Sequence, residues 1–463
     1  MSMIPNSSAA RDVRFHLHAQ TNPERYEGEG PLVIAKADGP YIFDDAGTRY
    51  LDVMAGLWCA SLGFTNDGLA KAASDAYATM GFYHTFGGRA SPAVIDAAEA
   101  IAQLVPLDDA RVFFATSGSE AIETMVKIAW LYHAANGAPQ RRKIIARQRA
   151  FHGSTIFAAS LTGLPHMHRE FGLPLEGVVH TLCPDPYREQ RKDETTEAFV
   201  ERLANELEAL ILAEGADRIA AFIAEPINAG AGVIVPPSGY FERIQAVLDK
   251  YGILCLDDEI VCGFGRTGNW FGCQTVGMMP DMMAMAKGLS SSFFPISAVA
   301  VSGKIYEAIK SINRDGSLFG HGFTNSGHPV GAAIVTEAIR QYQSMELPRW
   351  VQQRGQMLRA KIEPVLAACP YVGQFRGEGL LLAAELVANQ ETKEPFAAAF
   401  CIPQHLQRIA MQKGLMLRPQ GNSITFCPPF IIDDAQIDFI VDALLASMKE
   451  LEQEVISKLP AAG

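Results

Sequence analysis

Two side chains that could take part in catalysis follow two successive apolar segments of the sequence. Asp258 follows the predicted strand 253–257, which is apolar except for Asp257, and Lys287 comes directly after the apolar residues 282–286. If both segments are strands of one parallel sheet, their carboxyl ends meet at the edge where open α/β sheets bind ligands. A lysine amine there can form a Schiff base, and a carboxylate can keep a pyridine nitrogen protonated. Taken singly, each residue is more simply explained as a solvated surface charge.

A third feature is a possible phosphate site at residues 116–120, which read TSGSE. They precede a predicted helix that begins near Ala121, and a helix N-terminus offers free N–H groups and a positive dipole end to an anion. By themselves these residues are better explained as an ordinary capping box between Ser117 and Glu120. The phosphate cup, the carboxylate and the amine together predict a pyridoxal phosphate site, because the combination is much rarer by chance than any of its parts.

Residues 263–268 match the G-x-G-x-x-G pattern of nicotinamide-binding enzymes, which raises the alternative of a dehydrogenase. The residues that follow, 269–273, do not resemble the start of a helix that could bind a pyrophosphate. Asp257, Asp258 and Glu259 would also place negative charges beside that phosphate. We therefore reject the dinucleotide site and interpret the segment as a glycine-rich turn.

The middle of the chain alternates helical periodicity with short apolar or β-branched runs, which is the pattern of parallel strands joined by crossover helices. The expected strands are residues 143–146, 219–224, 253–257, 282–286 and 296–301. The expected helices are residues 93–104, 120–135, 197–213 and 240–250. These elements predict an α/β protein whose catalytic candidates follow its strands.

The two ends of the chain have a different character. Residues 31–51 carry strand and hairpin signals, and we expect them to pack with the C-terminal part. Beyond Pro329, long helices are expected over residues 331–344, 350–367 and 435–459. We therefore expect an N-terminal segment at residues 1–60, a large domain at residues 61–330 and a small α+β domain at residues 331–463.

The composition excludes several other classes of protein. A chain of 463 residues with 48% apolar and 19% charged residues is typical of a large folded protein and not of a disordered one. The net charge of −12 argues against a general affinity for nucleic acid or for an anionic membrane. No apolar run suits a signal peptide or a membrane span, and the eight scattered cysteines lack metal-site spacing. We expect a cytoplasmic protein with reduced thiols and no metal site.

Eight short segments carry a second indication of function. Six of them are Ser117-Gly118-Ser119-Glu120-Ala121, Phe151-His152-Gly153, Glu225-Pro226-Ile227, residues 258–268, Ala286-Lys287-Gly288-Leu289 and residues 324–329. In this order they resemble the class III, or omega, aminotransferases over nearly the whole chain. The other two, Gly56-Leu57-Trp58-Cys59 and Leu417-Arg418-Pro419, resemble the amine:pyruvate branch of that family.

The resemblance implies a fold-type I, pyridoxal phosphate-dependent transferase with a mixed, mostly parallel sheet and a small α+β domain built from both termini. It also implies a homodimer with composite active sites, and it leaves open whether dimers pair into tetramers. Lys287 would hold the cofactor as a Schiff base, Asp258 would pair with the ring nitrogen, and Thr324 would reach in from the neighbouring subunit. The cofactor-binding residues implied are Ser117, Gly118, Ser119, Phe151, His152, Glu225, Asp258, Ile260, Lys287 and Thr324.

The implied reaction is the ping-pong transfer of an amino group from a primary amine or omega-amino acid to a keto acid, most simply pyruvate. Arg418 would bind the carboxylate of the acceptor bidentately and swing outward when a neutral amine occupies the pocket. Trp58 and Phe86 would form apolar walls of this pocket, although without the resemblance each aromatic is better explained as core packing.

Four positions depart from the family or lack an explanation. Phe151, which would contact both cofactor and substrate, stands where family members often carry tyrosine, so a hydroxyl hydrogen bond is absent there. Gly87 and Gly88 stand where related enzymes carry bulkier residues, so larger amines are expected to fit. Asp257 is interpreted only as part of the exposed end of its strand.

Rival functions give different results in simple experiments. A pyridoxal phosphate-dependent aminomutase, racemase or decarboxylase would use the same scaffold without needing a keto acid acceptor. A nicotinamide dehydrogenase would show no absorbance change when an amine is added alone. A non-catalytic protein on this fold would bind the cofactor without reacting, and the presence of Lys287 argues against it.

Overall fold

A computed structural model of the chain describes residues 4, 6–312 and 318–458. Within these ranges the strands form one large sheet and two four-stranded sheets, with helices packed against them. None of the helices in these ranges combines the length and the apolar character that crossing a membrane requires. The cytoplasmic location stays a prediction.

Fifteen strands are present in the described ranges, labelled in chain order. They are β1 (Ile34–Asp38), β2 (Tyr41–Asp44), β3 (Arg49–Asp52), β4 (Arg111–Ala115), β5 (Lys143–Arg147), β6 (Val178–Thr181), β7 (Ile219–Ala224), β8 (Leu254–Asp258), β9 (Met282–Met285), β10 (Ser297–Val301), β11 (Val372–Glu378), β12 (Leu381–Leu386), β13 (Leu415–Met416), β14 (Arg418–Gln420) and β15 (Ser423–Phe426).

Sixteen α-helical segments are present in the same part of the chain, and α3 is an irregular turn. They are α1 (Ser8–Phe15), α2 (Pro23–Glu29), α3 (Ala55–Trp58), α4 (Asp67–Met80), α5 (Pro92–Ala102), α6 (Gly118–Ala135), α7 (Ile156–Leu161), α8 (Pro186–Glu189), α9 (Thr196–Glu214), α10 (Tyr240–Tyr251), α11 (Gly272–Val276), α12 (Gly303–Ile312), α13 (Pro329–Ser344), α14 (Leu347–Ala367), α15 (Ile402–Gln412) and α16 (Asp434–Glu454).

The large sheet contains seven strands in the order β4-β10-β9-β8-β7-β5-β6. The five strands from β9 to β6 are parallel, whereas β10 runs antiparallel to both β9 and β4. All residues of β7, β8 and β9 are buried, which is typical of central strands that helices cover on both faces. The predictions of an α/β fold and of a mixed, mostly parallel sheet are therefore confirmed.

The five strands predicted for this sheet are present, each with both ends within one residue of the expected position. The sequence did not predict β4 and β6, which are the two edge strands, because an edge strand is less apolar than a central one. The helix expected over residues 435–459 ends earlier, at Glu454, where Val455 leaves the helical backbone with a φ of −118°. Residue 459 lies outside the described ranges.

One of the two smaller sheets joins the ends of the chain. It has the order β1-β2-β3-β13, in which the C-terminal strand β13 pairs in parallel with the N-terminal strand β3. The other has the order β11-β12-β15-β14 and is antiparallel. One continuous cluster of buried side chains, which includes Phe222 and Phe426, extends from the large sheet into the C-terminal sheet. The division at residues 60 and 330 stays a prediction.

Candidate active site

Asp258 and Lys287 lie at the same edge of the large sheet, as their places in the sequence predict. Asp258 is the last residue of β8, and Lys287 follows the last residue of the parallel neighbour β9 by two positions. Both side chains line one cavity. The strand ends therefore bring a carboxylate and an amine into the crevice where open α/β sheets bind ligands.

The Asp258 carboxylate is held from two sides. Its Oδ1 accepts a hydrogen bond from Ile260 N at 3.1 Å, and its Oδ2 lies 2.7 Å from His152 Nδ1. Asp258 is 3% exposed and His152 is 1% exposed, so little water competes with this contact. The second ring nitrogen of His152, Nε2, is buried without a hydrogen-bond partner among the described residues. Among the described residues, the contact with Asp258 is therefore the one hydrogen bond that the imidazole ring makes.

Lys287 adopts an unusual backbone conformation, with a φ of 46° at the start of a short 3-10 turn. A positive φ is uncommon for a residue with a side chain, and it persists only where the surrounding structure imposes it. Burial lowers the pKa of the Lys287 amine, and the charge of Asp258 opposes this shift. A lowered pKa enlarges the neutral fraction of the amine, which is the form that attacks a carbonyl or takes up a proton.

The N-terminus of α6 forms another part of the cavity wall. Ser117 is its N-cap, because Ser117 Oγ accepts a hydrogen bond from Glu120 N at 3.2 Å and the Glu120 carboxylate accepts one from Ser117 N. The capping box considered from the sequence is therefore present. Gly118 and Ser119 line the cavity, and a Cβ at Gly118 would lie 2.8 Å from Ile260 Cδ1. Glycine at this position leaves room beside the helix end.

A buried carboxylate, Glu225, holds the segment that carries Phe151. Glu225 Oε1 accepts a hydrogen bond from Phe151 N at 3.0 Å, and Oε2 accepts one from Ala229 N at 3.1 Å. Burial raises the pKa of Glu225 to about 7, His152 opposes the rise and the charge of Asp258 adds to it. The position of the Phe151 ring in the cavity thus depends on the backbone contact with Glu225.

Ten of the thirteen predicted site residues line a single cavity of about 900 Å³. They are Trp58, Gly118, Ser119, Phe151, His152, Glu225, Asp258, Ile260, Lys287 and Arg418. This volume accommodates pyridoxal phosphate with a substrate beside it. The helix end at Gly118, the amine of Lys287 and the carboxylate of Asp258 match the phosphate, the aldehyde and the ring nitrogen of that cofactor.

The other three predicted residues lie outside the cavity of their own chain. Ser117 serves as the helix cap, Phe86 is 48% exposed, and Thr324 is also exposed. The loops that carry Phe86 and Thr324 contact each other, because Thr85 Oγ1 donates a hydrogen bond to Ser326 O at 3.1 Å. Within one chain these two loops form a common surface, and the roles expected of Phe86 and Thr324 stay predictions.

The indole of Trp58 has two cationic side chains near it. Lys287 Nζ lies 5.9 Å and Arg418 Cζ lies 5.4 Å from the centroid of the ring. Both distances fit a cation that is attracted to the face of an aromatic ring. The Trp58 ring therefore lies near both the Lys287 amine and the Arg418 guanidinium.

The turn that carries Trp58 is fixed by Asp52, the last residue of β3. Asp52 Oδ1 accepts a hydrogen bond from Met54 N at 2.7 Å, and Oδ2 accepts one from Gly56 N at 3.3 Å. Burial raises the pKa of Asp52 to about 6, although the two N–H groups and the charge of Arg418 oppose the rise. Above pH 6 a negative charge therefore lies close to the arginine without a direct ion pair.

The G-x-G-x-x-G segment forms a buried turn. Gly265 and Gly268 adopt φ angles of 87° and 94°, and the next helix, α11, is only five residues long. Arg266 within the turn is 1% exposed and donates a hydrogen bond from Nη1 to Pro428 O at 2.7 Å. The segment packs against the C-terminal part of the chain and contributes no residue to the cavity wall, as expected for a structural turn.

Asp257 is fully buried, so the expectation of an exposed strand end is wrong. Because side chains alternate along β8, Asp257 points to the face opposite Asp258, and its two carboxylate oxygens have no hydrogen-bond partner among the described residues. Neighbouring Glu259 accepts hydrogen bonds from Gly272 N at 2.9 Å and from Cys273 N at 2.6 Å. Burial and the charge of Glu259 raise the pKa of Asp257 well above its ordinary value, which favours the protonated acid.

We expect the substitution Asp257→Asn to stabilise the protein, with a larger gain at pH 8 than at pH 5. A carboxyl group whose pKa is raised by folding lowers stability as the pH rises from the unfolded-state pKa toward the native pKa. Asparagine cannot ionise and removes this cost. Thermal unfolding followed by circular dichroism should show a midpoint about 2–4 °C higher at pH 8. The exposed-helix variant Asp249→Asn is the control, and a shift independent of pH would contradict the prediction.

Three supporting residues were missed from the sequence, and each is the last residue of a strand. They are Asp52 of β3, Arg147 of β5 and Gln420 of β14. Arg147 is fully buried and donates a hydrogen bond from Nη2 to Glu225 O. The signal that identified Asp258, a charged residue at a strand end, could have identified Arg147, because β5 was predicted correctly.

Comparison with known proteins agrees with this site. The model of the family described as aminotransferase class-III matches residues 24–448. Vanillin aminotransferase from Capsicum chinense is 41% identical over 426 residues, which cover 92% of this chain and 93% of that protein. The crystal structure of the omega transaminase from Pseudomonas jessenii in complex with PMP has a TM-score of 0.95 and 41% identity, over 98% of this chain and 100% of that one. The PMP-bound aminotransferase from Vibrio fluvialis has a TM-score of 0.95 and 40% identity over the same shares.

The family match covers most of the chain, and the two solved structures named above were determined with the pyridoxamine form of the cofactor. Gly118, Asp258 and Lys287, which could hold such a cofactor, line the same cavity. The chain therefore belongs to the class III aminotransferases, which depend on pyridoxal 5'-phosphate.

Proposed function

We propose that this aminotransferase moves an amino group from a primary amine or an omega-amino acid to a keto acid such as pyruvate in two half-reactions. The observation that supports the proposal is that Lys287, the Asp258–His152 pair and Arg418 share one cavity. Lys287, Asp258 and His152 could transfer or hold a proton beside a bound cofactor, and Arg418 could bind the carboxylate of a substrate. The amine donor and the keto acid then use one pocket in turn.

Asp258 is proposed to keep the ring nitrogen of the cofactor protonated. Bound pyridoxal phosphate supplies an electron sink for the negative charge that forms beside the transferred nitrogen. A buried carboxylate raises the pKa of a nitrogen that it contacts, and the 2.7 Å contact with His152 fixes the carboxylate in place. Phe151 and Ile260, which line the same cavity, would contact the ring, while Gly118 and Ser119 would bind the phosphate at the helix end.

Lys287 is proposed to carry the proton between the substrate carbon and the cofactor. The lowered pKa of its amine enlarges the fraction of neutral base, and Asp258 on the adjacent strand end provides the opposite charge once the proton is taken up. The Trp58 ring lies beside this amine, with its centroid 5.9 Å from Nζ. The same nitrogen therefore binds the cofactor at rest and transfers the proton during turnover.

Arg418 is proposed to select acceptors that carry a carboxylate. A buried carboxylate without a partner is costly, and a guanidinium can pair with it through two hydrogen bonds. When a neutral amine binds, the guanidinium can turn away toward solvent, because Arg418 is only partly buried. One pocket can therefore accept a charged keto acid and an apolar amine in succession.

We expect Arg418→Ala to raise the KM for pyruvate by about 10- to 100-fold, because a charge-assisted bidentate contact is lost. The KM for a neutral aldehyde acceptor should stay within about twofold, since that substrate does not use the guanidinium. Steady-state kinetics with one fixed amine donor measure both values. Arg408→Ala, an exposed arginine of α15, serves as the control. Equal losses for pyruvate and aldehyde would rule out this role of Arg418.

A half-reaction experiment tests the reaction type. Addition of an amine without an acceptor should bleach the visible absorption band of the bound cofactor, and pyruvate should restore it. The product of the first step is the ketone or aldehyde of the donor, which chromatography identifies. Turnover of an amine to an isomer or a decarboxylated product without any keto acid would favour an aminomutase or a decarboxylase instead.

We infer that the enzyme works as a homodimer in which each site is completed by the second copy. Phe86 and Thr324 lie on one exposed surface away from their own cavity. Three other large side chains of the same stretch, Tyr77, Phe82 and Tyr83, are also exposed. An exposed apolar surface of this kind is typical of a protein contact. In such a dimer Thr324 would reach the phosphate and Phe86 would close the substrate pocket of the neighbouring subunit.

We expect two inactive variants to restore activity when their chains are mixed. Lys287→Ala removes the reacting amine, and Thr324→Glu places a negative charge where the phosphate of the neighbouring site would bind. A mixed dimer contains one site with Lys287 from one chain and Thr324 from the other. After joint refolding or co-expression, activity should return to about one quarter of the wild-type level, because half of the dimers are mixed and each has one intact site. No recovery would show that Thr324 serves its own chain.

A further inference from the structure

Gln420 lies beside Arg418 in the substrate part of the cavity. The two residues are separated by one position in β14, so their side chains point to the same side of the strand, and both line the cavity. The hairpin of β14 and β15 sets their register, with Arg418 opposite Thr425 and Gln420 opposite Ser423. The backbone of this hairpin thus fixes the positions of Arg418 and Gln420 relative to each other.

The Gln420 amide bridges the arginine and the opposite wall of the cavity. In the amide orientation that satisfies both partners, its oxygen accepts a hydrogen bond from Arg418 Nε at 3.1 Å, and its nitrogen donates one to Gly230 O at 3.0 Å. Gly230 lies against the Phe151 side chain, because a Cβ at this glycine would be 3.0 Å from Phe151 Cβ. The bridge therefore connects the arginine with the segment that carries the aromatic ring of the cofactor site.

The remaining donors of Arg418 are free. No hydrogen bond and no ion pair joins either Nη atom to another residue in the part of the chain that the structure describes. Asp52 contributes a nearby negative charge but uses its carboxylate oxygens on the N–H groups of Met54 and Gly56. A guanidinium that is hydrogen-bonded only through Nε keeps both Nη atoms available. The two Nη atoms can then donate two parallel hydrogen bonds to a carboxylate.

We propose that Gln420 is a positioning residue that determines the preference of this enzyme for carboxylate-bearing acceptors. It holds Arg418 by Nε, so that the two Nη atoms face the substrate before the keto acid arrives. The amide is neutral, so it orients the guanidinium without competing for it as a carboxylate would. The inference rests on the proposed role of Arg418 and adds the residue that prepares it.

Three variants test the proposal in the full-length enzyme loaded with cofactor. Gln420→Leu removes both hydrogen bonds at similar size and should raise the KM for pyruvate about 3- to 10-fold, with kcat and the KM for a neutral aldehyde within about twofold of wild type. Gln420→Glu pairs with the guanidinium and should raise the KM for pyruvate more than Gln420→Leu does. Gln404→Leu, at an exposed glutamine of α15, is the control and should leave the ratio of the two KM values unchanged.

The double variant Arg418→Ala with Gln420→Leu separates positioning from a merely structural effect. If Gln420 acts through Arg418, the leucine substitution should have no further effect on the KM for pyruvate once the arginine is absent. Equal losses for pyruvate and aldehyde, or a leucine effect that persists without the arginine, would overturn the proposal. If Arg418→Ala discriminates between the acceptors and Gln420→Leu does not, only this inference fails. If Arg418→Ala does not discriminate either, the proposed carboxylate role of Arg418 fails with it.

Discussion

Replacement of Lys287 by alanine is expected to lower the rate of transamination by at least about 10⁴-fold, the largest effect of any single substitution in this protein. The residue is the one amine at the strand-end crevice, and its conformation, with a φ of 46°, is imposed by the turn after β9. No other described lysine lines the cavity. In its proposed role, the loss of Lys287 would remove both the covalent anchor of the cofactor and the base that moves the substrate proton.

Chemical trapping measures the anchor directly. Borohydride reduction of the cofactor-loaded enzyme, followed by peptide mapping, should label the peptide that contains Lys287 in the wild type and leave it unlabelled in Lys287→Ala. Lys71→Ala, an exposed lysine of α4, should keep both the label and the activity. A label on another lysine of the wild-type enzyme would refute the assignment on which the site is built.

Asp258→Asn is expected to slow the reaction by about 10²- to 10⁴-fold without releasing the cofactor. The amide keeps the size of the side chain but cannot hold a proton on the ring nitrogen, so the electron sink weakens. It also changes the contact with His152 Nδ1, which then faces a neutral group in place of a carboxylate. The substitution therefore affects the transfer of protons more than the binding of either substrate.

Single-turnover kinetics with an amine donor separate the effect on proton transfer from an effect on cofactor binding. The rate of the first half-reaction should fall, while the affinity for the cofactor, measured by equilibrium dialysis, stays within about tenfold. Asp257→Asn is a matched control, because the residue is adjacent in sequence but points to the opposite face of β8. Similar rate losses in both variants would mean that Asp258 acts only by supporting the strand.

The fold could be predicted from the sequence where burial leaves a strong pattern. The strands that end at Asp258 and precede Lys287 are buried throughout and mostly apolar, because helices cover both faces of the sheet, and their positions were found to within one residue. Edge strands give a weaker pattern, which is why β4 and β6 were missed. The predicted C-terminal helix extends beyond Glu454, where α16 ends, because the apolar periodicity of the sequence continues past that residue.

The sequence could predict those residues of the candidate site that combine a reactive side chain with a place at the end of a strand. Contacts that form across the fold leave no local signal. Gln420 is polar in a short strand, and only the approach of Gly230 and the register of the hairpin give it two partners. Asp257 looks like a surface acid beside Asp258, yet alternation along β8 buries it against Glu259. Phe86 and Thr324 are exposed and lie outside the cavity of their own chain, and no local pattern in the sequence indicates this placement.

The parallel pairing of β3 with β13 has a consequence for the synthesis of this protein. Leu51 leaves the ribosome roughly 360 residues before its partner Leu415, a delay of about 20–70 s at ordinary translation speeds. During that time the edge of β3 has unsatisfied backbone groups and can pair with a wrong strand. Arg418, the residue proposed to bind the substrate carboxylate, is also synthesised late, since it follows Leu415 by three residues. Nascent chains of this enzyme should therefore gain from a chaperone that shields their first hairpin until the C-terminus is made.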